Sequence, residues 1–195
     1  MTRRKTWTTG DFRRAAELAG TMPSREVRRR LRLSKRQLRY AVELLNRAGA
    51  HVTTRYYEPM LRPCPACGRM SATLDERGGI CEPCRLARQL AAIEWRISEL
   101  VPRLTPEQRA TYEQTESGRE SGTDPIPLPA PTGGLDAYER ARAEEEYEAA
   151  TERWLARCLS RRVRAAQKRK ERIERKVMEN ERGDWDADNG AGGHR

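Results

Sequence analysis

Cys64-Pro65-Ala66-Cys67-Gly68 and Cys81-Glu82-Pro83-Cys84 are two C-x2-C pairs with thirteen residues between them. A C-x2-C step folds as a tight knuckle with both sulfurs on one side, and two knuckles can close a tetrahedral shell of four thiolates around one ion. The spacer is slightly shorter than the commonest C-x2-C-x15–20-C-x2-C arrangement, which implies a compact finger. Zinc held by Cys64, Cys67, Cys81 and Cys84 is the expected cofactor, with iron in a rubredoxin-like site as the alternative on the same ligands. A disulfide pair requires an oxidising compartment, and no apolar signal segment follows Met1-Thr2-Arg3-Arg4-Lys5. A redox C-x-x-C requires one pair within a βαβ pattern, not two pairs at finger spacing.

Between the pairs, Met70 to Leu74 suits a short strand, Asp75-Glu76-Arg77-Gly78-Gly79 a turn, and Ile80 the start of a return strand. The second pair runs directly into an amphipathic helix with Leu86, Leu90, Ile93 and Ile97 on one face. Knuckle, hairpin and a last ligand pair at a helix N-terminus resemble a treble-clef zinc finger over roughly residues 62–94. That resemblance implies a metal and not a particular activity, because such fingers bind DNA, RNA, protein or only brace a fold.

Charge points to the partner. Residues 1–50 hold fourteen Lys/Arg against four Asp/Glu, and the rest of the chain is balanced at twenty-five of each, so the whole net charge of +10 lies in the first segment. Such a field favours a polyanion, with phosphate contacts and counterion release supplying affinity. The same segment has a three-helix grammar. Thr8 to Asp11 forms a capping box opening a helix with Phe12, Ala15, Leu18 and Ala19 inward and Trp7 packed beneath. Gly20-Thr21-Met22-Pro23 separates it from a second helix facing inward through Val27 and Leu31. Ser34 to Gln37 is a second capping box, opening a third helix with Leu38, Ala41, Val42 and Leu45 on one stripe, ended by Gly49. The outward face of that helix carries Arg36, Tyr40, Glu43 and Arg47, with Arg39 beside it, a surface suited to a major groove where Arg reads guanine. A solvated basic face without a partner is the bland alternative, disfavoured by the scarcity of neutralising acids.

Trp7-Thr8, Phe12, Leu18, the phrase Ala19 to Pro23, Val27, Leu31 and Ser34 through Leu45 together resemble the Myb/SANT-like, homeodomain-like helix-turn-helix modules of phage and mobile-element proteins. The resemblance covers about the first fifty residues; Arg28 to Arg32 is more basic than the usual Ala- and Gly-containing turn. It implies DNA-contacting roles for Lys35, Arg36, Arg39 and Tyr40, and the leader Arg3, Arg4 and Lys5 would form an arm able to enter a minor groove.

The expected fold class is mainly α: a helix-turn-helix over 1–50, a small zinc finger with a β-hairpin and its following helix over 51–101, a Pro/Gly-rich linker over 102–134, a long charged helix over 135–182 and a disordered tail over 183–195. Val52 to Tyr57 suits a short strand or extended connector, and Thr105-Pro106 a short helix start. The long helix would span roughly 70 Å at 1.5 Å per residue. Its first part, Asp136 to Glu152, carries seven acids, and Arg153 to Lys176 carries eleven bases against two acids. Such a helix could pair antiparallel with a second copy or lay its basic half on nucleic acid. An apolar seam runs through Leu135, Tyr138, Ala149, Ala156, Leu159, Val163, Ala166, Ile173 and Val177, but Arg142, Glu145, Glu152 and Lys170 interrupt it, which favours a solvated helix over a coiled coil.

At 36% hydrophobic and 35% charged residues, with one Phe, the chain is too polar for a single large core, so several small units are expected. Nothing approaches a membrane span, giving an expectation of a cytoplasmic protein. Cys158 is left over and reads as incidental. Only His51 and His194 are present, a four-cysteine site has no open position, and no phosphate-cradling glycine loop or H-E-x-x-H occurs, so catalysis is not expected. The leading expectation is a sequence-specific regulator binding double-stranded DNA, with a homodimer or protein partner engaged through 135–182. The alternative is a DNA-packaging or replication accessory protein recruiting its partner through that helix; RNA binding is disfavoured by the lack of a stacking aromatic platform.

Overall fold

The computed structural model describes residues 6–117 and 125–182, with the backbone alone for 183–190. The order is α1 (Thr9–Leu18), α2 (Ser24–Leu31), α3 (Lys35–Arg47), β1 (Arg62–Pro63), β2 (Met70–Ser71), α4 (Glu82–Leu100), a 3-10 turn (Val101–Arg103), α5 (Pro106–Ser117) and α6 (Ala137–Gly190). The protein is mainly helical, with one two-stranded antiparallel sheet and a long C-terminal helix. The chain divides into two compact units. One comprises Met1–Pro63, Met70–Ala72 and Pro127–Ala150, the other Cys64–Arg69, Thr73–Ile126 and Thr151–Arg195.

In the first unit both capping boxes form. The Thr8 hydroxyl oxygen accepts from the Asp11 amide at 3.2 Å, and the Asp11 carboxylate accepts from the Thr8 amide at 3.0 Å. Ser34 and Gln37 make the equivalent pair at 3.2 and 2.7 Å. Each satisfies donors that a helix N-terminus otherwise leaves open. Ala19, Val27, Leu33, Leu38 and Val42 form the core, with Trp7, Leu18 and Leu31 packed at its edge. Between α2 and α3, Arg32 sits at φ 52, in the left-handed region usually given to glycine, and lets the Leu33 amide reach back to the Arg28 carbonyl at 2.9 Å.

The segment after α3 is a connector without strand pairing, tied back onto the three helices. Asn46 clamps Val52 twice, donating to its carbonyl and accepting from its amide, both at 2.8 Å. The Ser24 hydroxyl donates to the Thr54 carbonyl at 2.6 Å. Further on, Arg55 stacks 4.0 Å over the Tyr138 ring, Tyr57 meets that ring edge-on at 5.5 Å, and the Met60 and Leu61 amides both donate to Glu145 at 2.6 Å. Burial opposes charge on Glu145, but the Tyr57 hydroxyl and these two amides outweigh it and hold the carboxyl below its usual range. The interruption that Glu145 makes in the apolar seam is therefore a backbone-binding contact.

In the second unit the apolar residues of two helices match. On α4 and just beyond it, Leu86, Leu90, Ile93, Ile97, Leu100 and Leu104 recur at alternating steps of four and three, and on α6 Ala156, Leu159, Val163, Ala166, Ile173 and Val177 keep the same rhythm with Lys170 at the one skipped position. All of these are buried except Leu159, which is half-buried against the same cluster. Glu94 pairs with Arg162 at 4.0 Å and Arg103 with Glu181, so both pairings advance along the chain and the two helices run parallel. Parallel neighbours need a long connection, and α5 lies in it. Its Thr105–Gln108 capping box is in place, and Gln108 exchanges amide hydrogen bonds with Asn180 at 3.1 and 3.0 Å.

Three expectations change. The seam of α6 from Ala156 to Val177 is packed against α4, not solvated, and Lys170 is accommodated by swinging its ammonium to within 3.8 Å of Glu174. The sheet joins Arg62 to Ser71 and Pro63 to Met70 on either side of the first knuckle, because the knuckle itself reverses the chain; the Met70–Leu74/Ile80 hairpin reduces to one bridge between Leu74 and Cys81. The short helix expected to start at Thr105-Pro106 forms as α5 within the 102–134 stretch, of which residues 118–124 lie outside the described residues. Backbone helix continues to Gly190, eight residues into the segment expected as a tail, and 191–195 lie outside the described residues.

Ile173→Ala should cost about 2–5 kcal/mol in chemical unfolding of the full chain, the usual loss for a buried Ile truncated into a cavity. Gly20 has φ +82, and a Cβ there would lie 2.9 Å from both Thr53 Cγ2 and Ala137 Cβ. Gly20→Ala should therefore destabilise the first unit by about 1–3 kcal/mol or more, read as a lower midpoint in the same titration.

Candidate metal centre and candidate nucleic-acid interface

The first knuckle is shaped by Pro65-Ala66 and closed by Gly68, whose amide donates to the Cys64 carbonyl at 2.8 Å while its φ of 73 turns the chain out. The Cys64 amide then donates to the Arg69 carbonyl at 2.8 Å. On the other side a turn from Asp75 to Ile80, closed by the Gly79 amide on the Asp75 carbonyl at 2.7 Å, returns the chain to the Leu74–Cys81 bridge. Cys81 is the N-cap of α4 and Cys84 lies in its first turn, with Pro83 between them where a missing amide proton costs nothing. The second knuckle is thus the start of a helix whose partial positive charge favours thiolate.

All four sulfurs lie within 4.8 Å of one another. Cys64 and Cys84 sulfurs are 4.0 Å apart and those of Cys67 and Cys81 3.7 Å. Tetrahedral bonds of 2.3 Å set sulfur–sulfur edges of roughly 3.8 Å, whereas a disulfide requires about 2.05 Å. The spacing fits an ion at the centre and no cystine. Cys64 and Cys81 are buried with Ile80, flanked by Leu74 and Cys84, a core too small to hold this segment unaided. Amides of Cys81, 3.3 Å away, and then of Ala66 and Cys67 bring the Cys64 thiol down to about 6. Burial pushes Cys81 and Cys84 up. Four neighbouring thiols cannot all ionise alone; a divalent cation would remove that conflict. A cation held here would have four protein ligands and no open position, the character of a structural site.

The second candidate lies on α3. With Leu38, Ala41 and Val42 buried, the helix presents Lys35, Arg36, Arg39, Tyr40 and Arg47 to solvent. Lys35, Arg36 and Arg39 make no ion pair among the described residues. Arg47 is held by Glu43 at 2.6 Å. Tyr40 is 49% exposed, but its ring lies 6.1 Å from Trp7, which in turn stacks on Phe12 at 5.0 Å, so it borders the core rather than standing at the outward pole. On α2, Arg29 and Arg30 converge on Glu26 at 3.0 and 3.3 Å and hold its carboxyl below the usual range. Arg3, Arg4 and Lys5 lie outside the described residues. The positioning role of Asn46 is not visible in sequence, because a lone Asn in a last helical turn has no distinguishing pattern until its partner Val52 is folded beside it.

No helix among the described residues is long and apolar enough to cross a membrane. Compared with protein-family models, with curated proteins and with solved structures, the chain matches none.

Purified chain should carry one tightly held metal ion per molecule by elemental analysis. Cys81→Ser should abolish that stoichiometry and expose 64–84 to proteolysis, because ligand binding and local folding are one process in such small centres. Cys158→Ser, outside the cluster, should leave the metal content unchanged; a folded, metal-free wild type would contradict the assignment.

Proposed function

We propose that this chain is a sequence-specific double-stranded DNA-binding protein, a cytoplasmic transcriptional regulator of the phage and mobile-element kind, with a structural zinc in its four-cysteine centre. The observation that carries the reading is the outward face of α3, where Lys35, Arg36 and Arg39 stand exposed in the first turn and a half of a capped helix. In a helix-turn-helix, base edges are reached from that end of the second helix, and the flat guanidinium fork matches the O6/N7 edge of guanine. Arg36 and Arg39 are accordingly assigned base-edge contacts, Lys35 a phosphate near the helix N-terminus, and Tyr40 a supporting role through Trp7. Arg3, Arg4 and Lys5 are assigned to an arm along the backbone or minor groove. The resemblance to Myb/SANT-like modules agrees with this order of parts.

The four-thiolate tetrahedron suits zinc and iron alike; zinc is favoured because the sequence offers nothing that would use electrons. A catalytic role finds no support in a site without an open position. The alternative is an accessory protein that recruits a partner through 135–182; the apolar residues of that helix from Ala156 to Val177 are covered by α4, so a partner of either kind would have to use its other faces.

Competition titrations of the full chain should show a selected duplex bound in preference to scrambled DNA. Arg36→Ala or Arg39→Ala should reduce that preference by about 1–3 kcal/mol at particular base pairs. Mutation of Arg3, Arg4 and Lys5 should instead weaken all sequences and flatten the salt dependence. An unchanged ratio of specific to non-specific affinity in both α3 variants would remove α3 as a reading helix.

A further inference from the structure

Within the second unit, α6 has a second face that its packing leaves open. Arg153, Arg157, Arg164, Lys168, Arg172 and Arg175 recur at steps of three, four or seven, which keeps them on one side of the helix, and every one is exposed. The buried seam from Ala156 to Val177 lies on the other side. None of these six makes an ion pair among the described residues. Only Glu171 and Glu174 are acidic between 153 and 176; Glu174 is engaged by Lys170, and Glu171, the one acid on the row's own side, accepts from the Gln167 amide at 2.9 Å. Two shallow concavities, of about 480 Å³ around Arg153 to Arg164 and about 470 Å³ around Lys168 to Arg175, lie along the row.

A row this long and this one-sided is a costly arrangement for a helix on its own. Like charges at i, i+4 repel, and a solvated helix normally alternates signs, as α2 does with Glu26 between its arginines. Twenty-two residues at 1.5 Å each extend the row to roughly 33 Å, about one turn of B-form DNA. Packing of its apolar side on α4 fixes which side of the helix carries the charges, so the row faces solvent as one surface. The acids at 136–152 of a second copy are the rival occupant; three of the seven are engaged within their own chain, Glu145 by the Met60 and Leu61 amides, Glu146 by Arg142 at 2.8 Å and Glu139 by the Asp136 amide at 3.1 Å, which leaves fewer to meet the row.

We propose that the 153–175 row of α6 is a second DNA-binding surface, which grips the phosphate backbone of a duplex without reading its sequence. It rests on the DNA-binding reading but needs no assumption about base recognition by α3. Its contribution is electrostatic: each arginine or lysine that meets a phosphate releases counterions, and binding weakens with salt in proportion.

The test is fluorescence anisotropy of the full chain on a scrambled duplex across a series of salt concentrations, comparing wild type with the triple variant Arg157→Gln/Arg164→Gln/Lys168→Gln. Glutamine keeps helix propensity at these exposed positions, and far-ultraviolet circular dichroism confirms an unchanged fold. The variant should lose roughly 0.9 units of log–log salt slope per phosphate contact removed, up to about 2.7 for three. The loss should be the same on a selected site and on scrambled DNA, with their ratio preserved. Arg36→Ala has the opposite signature, a changed ratio, so failure of one reading is distinguishable from failure of the other. An unchanged slope in the triple variant overturns the proposal. So does sedimentation showing a wild-type dimer that the triple variant dissolves while DNA binding stays intact, because the row would then belong to a second copy.

Discussion

The interlock of α4 with α6 is the constraint on which the second unit depends. A chain with one phenylalanine and as many charged as hydrophobic residues has few apolar side chains to bury, and small units are marginal unless nearly all of them find partners. The six apolar residues from Leu86 to Leu104 form a stripe too narrow to stabilise a lone helix, and the stripe of α6 is equally narrow. Their matched four-three rhythm lets each cover the other. Ion pairs such as Glu94–Arg162 are exposed and contribute little energy; what they record is direction and register.

The metal centre is attached to that interlock through α4. Cys81 and Cys84 begin the helix whose apolar stripe starts at Leu86, so the turn that carries two ligands is the first turn of a packed element. A ligand pair on a rigid helix leaves only the first knuckle, a handful of residues shaped by Pro65 and Gly68, to be fixed by the ion. A cation bound there would, together with the helix, supply the order that so small a cluster as Cys64, Ile80 and Cys81 cannot supply alone.

The first unit works by a different economy. Two capping boxes, a left-handed Arg32 and the Asn46 clamp satisfy backbone groups around a core of five small-to-medium side chains. Because these polar contacts are local and the apolar core faces inward, the opposite side of α3 is free to carry charge. Arg36 and Arg39 can be exposed cations only because Leu38, Ala41 and Val42 hold the helix from behind.

By sequence alone, the elements with local causes were legible. Cysteine spacing singled out the four cysteines that the fold brings within 4.8 Å of one another, S/T-x-x-D/Q signals located the starts of α1 and α3, and periodicity separated the inward from the outward side of α3. What sequence could not supply was the partner of each face. The seam of α6 looked broken at Glu145 and Lys170 because a one-dimensional pattern cannot show that one binds the amides of Met60 and Leu61 and the other reaches Glu174. Nor could periodicity distinguish a helix waiting for a second copy from one already covered by α4, since both need the same apolar stripe. Local propensity and ligand spacing are properties of neighbouring residues and survive in the sequence. The burial of α4 against α6 is a property of two surfaces more than fifty residues apart, and only the tertiary structure decides that they meet.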